Sequence, residues 1–299
     1  MAPVMSAIDP SMWYRPEYGA RLKPAIQFVF NHWGEIADEA LPSHLHRIRD
    51  LAWPLGGYPC VGMWMFLLPG LAGFRDFPRI LEHARQATIT TTSGSSDSST
   101  NTTSTSDSDS DPVILDLGCG LGQNLRLLAA HGIPTNRMVA LDLEPRLWEL
   151  GYELFKDRTR MQAQFIPGDF HSMPDEQLAA VQGTVELVIA AQFLHLFSRE
   201  GQQAACKRIV ALSRVGTMLV GFQQGRARPI EYLRPWGVTF YQNRESFTGM
   251  WEAVQEETQT VWEGEVREVD LFEWGMEEED VAWMTEDRIG IEFMLTRVV

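Results

Sequence analysis

The stretch of this 299-residue chain with the clearest chemical meaning is "ILDLGCGLGQN", residues 114–124. Gly118, Gly120 and Gly122 alternate with other residues there, behind a short apolar run. Asp116 lies two residues before the first of these glycines. A turn so rich in glycine lets the backbone approach a ligand closely, because glycine has no side chain and adopts left-handed conformations readily. The ligands that suit such a turn are a nucleoside triphosphate, a dinucleotide or another nucleotide-like cofactor.

The spacing of the glycines distinguishes among these ligands. A triphosphate-binding loop needs a lysine followed by Ser or Thr after its last glycine, and this stretch has neither. A dinucleotide-binding turn reads G-x-G-x-x-G, but Gln123 occupies the place of its third glycine and Gly122 comes one residue early. That third glycine allows close packing of helix on strand. The pattern present is D-x-G-x-G-x-G, from Asp116 to Gly122.

The elements that must position this turn alternate along the second part of the chain. Short apolar runs separated by helical stretches predict βαβ units and a parallel sheet covered on both faces. Ligands bind such sheets at the carboxyl ends of the strands, which is where the glycine turn falls. A helix with one apolar face is predicted over 245–254. The predicted strands are 113–117, 138–143, 163–169, 185–191 and 217–222, with two late strands at 260–270 and 289–299.

Two further aspartates fall at predicted strand ends. Asp142 closes the second strand, 20 residues after Gly122, where a carboxylate can accept both hydroxyls of a ribose. Dinucleotide folds share that feature, so it does not discriminate between cofactors. Asp169 closes the third strand and is followed by Phe170. A single aspartate at a strand end is more often a turn or helix cap, so the argument depends on their order and spacing together.

The D-x-G-x-G-x-G stretch resembles the first motif of the class I S-adenosylmethionine-dependent methyltransferases. The resemblance implies that Asp116 favours the ammonium group of S-adenosylmethionine, and that the glycines let the backbone approach its carboxylate and ribose. It also implies that Asp169 meets the adenine amino group with Phe170 alongside the ring. The cofactor site implied in this way comprises Asp116, Gly118, Gly120, Gly122, Gln123, Asn124, Asp142, Leu143, Asp169 and Phe170.

Four other phrases resemble fungal secondary-metabolite methyltransferases, among which the meroterpenoid-pathway members convert a polyketide-derived carboxylic acid to its methyl ester. They are "YPCVGMWMFL" (58–67), "LGYELF" (150–155), "AAQFLHLF" (190–197) and "ESFTGMWEAV" (245–254). The resemblance implies a Rossmann-like α/β fold with a seven-stranded, mostly parallel sheet that ends in an antiparallel hairpin. It further implies an O-methyltransferase whose acceptor is a small apolar carboxylic acid.

His195, just beyond the fourth predicted strand, is the candidate catalytic residue. A phenol acceptor, with a pKa of roughly 10, would need a positioned base, whereas a carboxylate with a pKa of roughly 4 would not. His195 is therefore a base, a substrate-orienting group or a histidine with a purely structural role. A hydroxyl or phenol O-methyltransferase, a NAD-dependent oxidoreductase and a cofactor-binding module that regulates a partner stay open as alternatives.

Residues 1–87 are rich in tryptophan and proline and are predicted to form a helical lid over the substrate, with helices at 24–40, 43–55 and 74–86. Trp13 and Tyr14 either fold over the cofactor, as the resemblance implies for N-terminal aromatic residues, or only staple the first helix. Arg47 or Arg49 is a candidate to pair with a substrate carboxylate, and the alternative is that either residue simply faces the solvent. The predicted substrate contacts are Trp13, Tyr14, Trp53, Tyr58 and Gln192.

Composition limits the class of protein. Residues 88–111 are dominated by Ser and Thr, which predicts a disordered linker before the methyltransferase domain at 112–299. The net charge of −15 argues against nucleic-acid partners and against anionic membranes. The start of the sequence lacks a secretory signal, and its three cysteines have no metal-like spacing, so we expect a cytoplasmic protein without a metal site. A homodimer is possible.

Overall fold

A computed structural model describes residues 4–5, 10–89, 113–282, 284 and 287–299 of the chain. The predicted linker at 88–111 lies outside this part of the chain, except for its first two residues, which end a helix. Among the described residues, no helix is both long and apolar enough to cross a bilayer.

Within the described residues, ten strands form two sheets. They are β1 (Val4–Met5), β2 (Val113–Leu117), β3 (Met138–Asp142), β4 (Gln164–Pro167), β5 (Val185–Ala191), β6 (Ser213–Gln224), β7 (Ile230–Arg234), β8 (Gly237–Tyr241), β9 (Trp262–Asp270) and β10 (Ile289–Arg297). The large sheet has seven strands in the order β4-β3-β2-β5-β6-β10-β9. The five strands β2 to β6 run parallel to one another, and β10 is antiparallel to both β6 and β9. The predicted fold, with a parallel sheet and a C-terminal antiparallel pair, is confirmed.

Nine α-helices accompany these strands in the described part of the chain. They are α1 (Pro24–Phe28), α2 (Leu41–Ala52), α3 (Pro59–Gly62), α4 (Phe77–Ile89), α5 (Gln123–Ala130), α6 (Pro145–Phe155), α7 (Arg199–Leu212), α8 (Arg244–Thr258) and α9 (Glu278–Val281). The single helix predicted over 24–40 is wrong. α1 continues only as a π-helical turn at Val29–Trp33. The helix then ends at Gly34 and Glu35, and Glu35 has a φ of +52°.

The N-terminal segment, residues 10–89, packs on one face of the large sheet. Phe30, Leu45 and Ile80 lie in the same hydrophobic cluster as Ile114 and Ile189 of the sheet. The opposite face is covered by α7 and α8. In α8, Phe247, Trp251 and Val254 are buried, as the apolar periodicity predicts. The N-terminal segment therefore shares a hydrophobic core with the large sheet.

A second sheet, in the order β1-β7-β8, was not predicted from the sequence. β7 and β8 form an antiparallel hairpin, and β1 adds to β7 in parallel. The hairpin lies against the turn that follows β5, since the Phe240 N–H donates to the Phe197 carbonyl at 2.8 Å. It thereby places Arg234 and Trp236 near the carboxyl ends of the parallel strands.

Candidate functional site

The glycine turn joins the end of β2 to the start of α5. Gly118, Gly120 and Gly122 have φ angles of +67°, +53° and +72°, in the left-handed region that favours glycine. A Cβ on Gly118 would lie 2.7 Å from the Phe193 ring, so that position has no room for a side chain. At Gly120 such a Cβ would meet no described residue within 4 Å apart from the two adjacent in the chain, and the turn therefore faces open space there.

Asp116 is buried in β2 beneath this turn. Burial, followed by the Asp142 carboxylate, raises the pKa of Asp116 to about 8, and the Asn124 side chain and the Arg126 guanidinium oppose the shift in part. Neither carboxyl oxygen makes a well-formed hydrogen bond within the described part of the chain. The Asn124 side chain lies next to the Asp116 carboxyl, but its position does not meet the distance and angle criteria for a hydrogen bond. Such a group is an acceptor that lacks a donor.

Asp142 connects the end of β3 to the glycine turn. Its Oδ2 accepts a hydrogen bond from the Gly120 N–H at 2.7 Å, and its Oδ1 accepts one from the Glu144 N–H at 2.9 Å. Burial raises the pKa of Asp142, and these backbone donors oppose the increase. The next residue, Leu143, is 67% exposed although it is apolar. The structure thus places Asp142 and Leu143 beside the turn, and their contact with the cofactor stays a prediction.

Asp169 and Phe170 follow β4 and have local partners. The Asp169 carboxylate accepts hydrogen bonds from the His171 N–H at 3.0 Å and from the Ser172 hydroxyl at 2.9 Å, and so caps its own turn. The Phe170 ring is buried and packs edge-on against Phe193, with ring centroids 5.8 Å apart. The Arg208 guanidinium lies over the same ring, 5.4 Å from its centroid. Contact of either residue with adenine stays a prediction.

The predicted substrate aromatics separate into two groups. Trp13 and Tyr58 both contact Trp236 of the hairpin, with ring centroids 5.8 and 6.3 Å apart. The pKa of Tyr58 is raised by burial and then by the Asp142 carboxylate, which places this ring at the cofactor edge of the cluster. Tyr14 pairs instead with Trp53, with ring centroids 5.4 Å apart.

The three remaining candidates for contact with the substrate are Gln192, Arg47 and Arg49. Gln192 lies at the end of β5 in a left-handed conformation, and its N–H donates to the Phe222 carbonyl at 2.6 Å. Arg47 and Arg49 form ion pairs within the chain, with Glu153 at 2.8 Å and with Asp50 at 2.6 Å. Both arginines thus have carboxylate partners within the chain, and contact of either one with a substrate carboxylate stays a prediction.

Sequence reasoning missed the hairpin residues Arg234, Trp236 and Tyr241. Tyr241 is buried and stacks on His195 with ring centroids 5.7 Å apart. The Arg234 guanidinium packs over the rings of Tyr232 and Tyr241, at 5.0 and 5.7 Å from their centroids. The only sequence signal was the turn-forming "RPWG" between two runs rich in strand-forming residues.

His195 lies in a 3-10 turn at Leu194–Leu196, beyond the end of β5. Burial, followed by the charge of Arg234, lowers the pKa of His195 to about 3. Its buried Nδ1 has no hydrogen-bond partner in the described part of the chain. The imidazole is therefore neutral at physiological pH, in an environment that opposes protonation.

We expect His195→Gln to make the protein less sensitive to acid. The pKa of His195 is about 3 in the folded protein and roughly 6.5 in an unfolded chain, so acid protonates the unfolded state first. The stability present above pH 6.5 is therefore lost as pH falls toward 3. When pH falls from 7.5 to 5.0, the free energy of unfolding measured with urea should decrease by about 2 kcal/mol less in the variant than in the parent. Equal losses in the two proteins would contradict this assignment, because all other histidines are shared.

The turn and its surroundings suit S-adenosylmethionine. The buried Asp116 carboxyl, with no well-formed bond, offers an acceptor for an ammonium group, and the open space at Gly120 allows close approach. Leu143 offers exposed apolar surface at the same edge. No three His, Cys, Asp or Glu side chains of the described residues are grouped to hold a metal ion.

Comparison with known proteins extends this picture. Residues 13–67 match the family described as meroterpenoid methyltransferase N-terminal domain, and residues 114–216 match the methyltransferase domain family. The chain is 30% identical to O-methyltransferase phiE of a fungal species, over 95% of this chain and 92% of that protein. It is 24% identical to the asnovolin E/chermesin D methyltransferase nvfJ of Aspergillus novofumigatus, over 80% and 78% of the two chains.

Solved structures are more distant. The 1,6-didemethyltoxoflavin-N1-methyltransferase of Burkholderia thailandensis aligns with 63% of this chain and 72% of its own length, at 14% identity and a TM-score of 0.45.

The strand order and the glycine turn define a class I S-adenosylmethionine-dependent methyltransferase. The chain belongs to the methyltransferases of fungal secondary metabolism that carry the meroterpenoid methyltransferase N-terminal domain. Its methyl donor is S-adenosylmethionine, and the alternative of a NAD-dependent oxidoreductase is excluded.

Proposed function

We propose that the protein methylates a carboxylate oxygen of an apolar small molecule, forming a methyl ester on a terpenoid–polyketide intermediate. The observation that carries this proposal is the packing of the Arg234 guanidinium over the Tyr241 ring, on which the buried His195 imidazole stacks. A guanidinium attracts an anionic acceptor and can bind a carboxylate in a bidentate manner. A buried imidazole with a pKa near 3 is a poor base for a phenol, whose proton must be removed.

Aromatic rings supply the apolar part of the acceptor site. Trp13, Tyr58 and Trp236 come from the N-terminal segment and from the hairpin, and they meet near Asp142. Rings of this size bury large apolar areas and exclude water from the reacting atoms. They suit a fused-ring acceptor better than a small polar one.

The residues divide the work as follows. Asp116, Asp142 and the glycine turn hold S-adenosylmethionine, which supplies a methyl group on a sulfonium sulfur. Arg234 orients the acceptor carboxylate, which is already ionised because its ordinary pKa is roughly 4. His195 offers a neutral hydrogen-bonding group beside it. Catalysis then depends on alignment and exclusion of water, with no proton to remove.

A matched pair of acceptors tests this proposal. The protein is incubated with S-adenosylmethionine and either an apolar polycyclic carboxylic acid or the phenol of the same skeleton. We expect mass spectrometry to show a gain of one methylene on the acid alone, and mild alkali to remove it, because esters hydrolyse and ethers do not. Methylation of the phenol in preference to the acid would contradict the proposal.

Two variants separate orientation from base catalysis. Arg234→Gln should raise the KM for the acid at least about tenfold while the affinity for S-adenosylhomocysteine stays within twofold, because a charge-assisted hydrogen bond is lost only on the acceptor side. His195→Gln should lower kcat by less than about tenfold and leave its pH profile unchanged. A general base would instead contribute about 100- to 10,000-fold, and such a loss would favour a hydroxyl acceptor.

A further inference from the structure

We propose that Arg126 is a positioning residue for cofactor binding: together with Asp157 and Trp33, it holds the backbone of the glycine turn in its ligand-binding form. This inference rests on the assignment of the turn as the S-adenosylmethionine site. It does not depend on which acceptor the protein methylates.

Arg126 fixes two carbonyl groups of the turn from below. It is fully buried in α5, and its Nη1 donates to the Leu121 carbonyl at 3.1 Å and to the Gly122 carbonyl at 3.4 Å. In a planar trans peptide the C=O and the following N–H point in opposite directions. Holding the Gly122 carbonyl therefore fixes the direction of the Gln123 N–H, which is the first amide of the helix and an anion-binding group.

Asp157 and Trp33 hold Arg126 in turn. The guanidinium donates from Nε and Nη2 to the two Asp157 oxygens, at 2.9 and 3.2 Å. The Trp33 indole N–H donates to Asp157 Oδ2 at 2.7 Å, across 124 residues of sequence. Both charged side chains are 0% exposed. The N-terminal segment thus reaches the cofactor turn through one buried chain of hydrogen bonds.

Two glycines make room for this guanidinium. A Cβ on Gly122 would overlap Arg126 Nη1 and lie 2.5 Å from the Trp148 ring. A Cβ on Gly151, in α6, would overlap the Leu121 carbonyl oxygen and lie 3.1 Å from Arg126 Nη1. A buried ion pair often gives no more stability than apolar residues of similar volume, so stability alone does not explain this arrangement.

The charge of Arg126 also reaches Asp116. It opposes the rise in the pKa of Asp116 that burial and the Asp142 carboxylate cause. Removing the guanidinium should therefore shift the pH dependence of cofactor affinity upward. A purely structural support would leave that dependence unchanged.

The test compares two buried ion pairs. Arg126→Met/Asp157→Leu removes the proposed support without leaving an unpaired charge. Arg21→Met/Asp280→Leu is the control, because that pair is also buried, with Arg21 Nε 3.1 Å from Asp280 Oδ1, and links the N-terminal segment to α9. Calorimetry with S-adenosylhomocysteine at pH 6 to 9 reports the affinity. In the first variant we expect the affinity for S-adenosylhomocysteine to fall at least about tenfold and its pH dependence to shift to higher pH. In the control the affinity should stay within twofold of that of the parent.

Other outcomes are informative. If both double variants bind as the parent does, or lose affinity equally without a pH shift, the positioning role is overturned. If the parent itself does not bind S-adenosylhomocysteine, the assignment of the cofactor turn fails instead.

A gentler pair of variants covers the case in which the first double variant does not fold. Trp33→Phe keeps the ring but removes the donor to Asp157. The control, Trp274→Phe, removes an indole donor 2.8 Å from the buried Glu292 on β10, a strand that β5 and β6 separate from β2. We expect about a threefold to tenfold loss of affinity in Trp33→Phe alone. Unchanged affinity in both would overturn the proposal.

Discussion

Asp116→Asn is expected to weaken S-adenosylhomocysteine binding by about 10- to 140-fold, the equivalent of about 1.5–3 kcal/mol for a hydrogen bond to a charged group. The carboxyl group lies buried under the glycine turn without a well-formed hydrogen bond. A ligand ammonium group would give it both a donor and an opposite charge. The asparagine keeps the shape and loses the charge, so the change isolates the electrostatic contribution.

The same variant should alter how stability depends on pH. The pKa of Asp116 is about 8 in the folded protein and roughly 3.9 in an unfolded chain. A carboxyl group with a raised pKa contributes stability below its unfolded pKa, and that contribution is lost as pH rises toward 8. The free energy of unfolding of the cofactor-free parent should therefore fall, relative to that of Asp116→Asn, by up to about 1.4 kcal/mol per pH unit.

Two measurements check this pair of effects. Urea unfolding of both cofactor-free proteins at pH 5, 6.5 and 8 reports the stability difference. Calorimetry at the same pH values reports affinity, which should rise with pH in the parent, because binding favours the ionised carboxylate, and rise less in Asp116→Asn. Identical pH dependence of both quantities in the two proteins would show that Asp116 does not face the ligand's charge.

Gly120→Ala and Gly122→Ala should fail in different ways. At Gly120 an added methyl group meets no described residue within 4 Å apart from its chain neighbours, so the fold should lose only about 1–2 kcal/mol for the left-handed backbone. The methyl group would, however, occupy the side that the cofactor approaches. At Gly122 it would overlap Arg126 and the Trp148 ring, which should cost about 2–5 kcal/mol in stability.

Thermal unfolding together with S-adenosylhomocysteine titration distinguishes the two. We expect Gly120→Ala to keep most of its Tm and to lose at least about tenfold in affinity. Gly122→Ala should have the larger fall in Tm. If Gly120→Ala bound the ligand as tightly as the parent, the open side of the turn could not be the cofactor site.

The regular elements of the fold were largely readable from the sequence. β2 was predicted with its exact observed bounds, 113–117, because a parallel strand buried on both faces is a continuous apolar run. β6 was predicted at 217–222 but extends over Ser213–Gln224, since it pairs with β5 on one side and with β10 on the other. A local sequence pattern contains no information about such partners, because they are distant in the sequence.

The hairpin was missed for a related reason. β7 and β8 are short strands, and β1, which completes their sheet, comes from the other end of the chain. The helix predicted over 24–40 failed because apolar spacing continued past Gly34, where the backbone leaves the helix. A periodic pattern does not report where packing ends an element.

The sequence by itself determined the class of protein and its methyl donor, because the glycine turn and the aspartates at strand ends act over short stretches of chain. The tertiary structure decided the ionisation and the support of the site. His195 is neutral because burial, to which the stacked Tyr241 ring of the hairpin contributes, lowers its pKa, and the charge of Arg234 lowers it further. Arg126 holds the turn because Asp157, 31 residues away, and Trp33 meet it in the core. Burial and charge depend on such distant contacts, which neither composition nor spacing records.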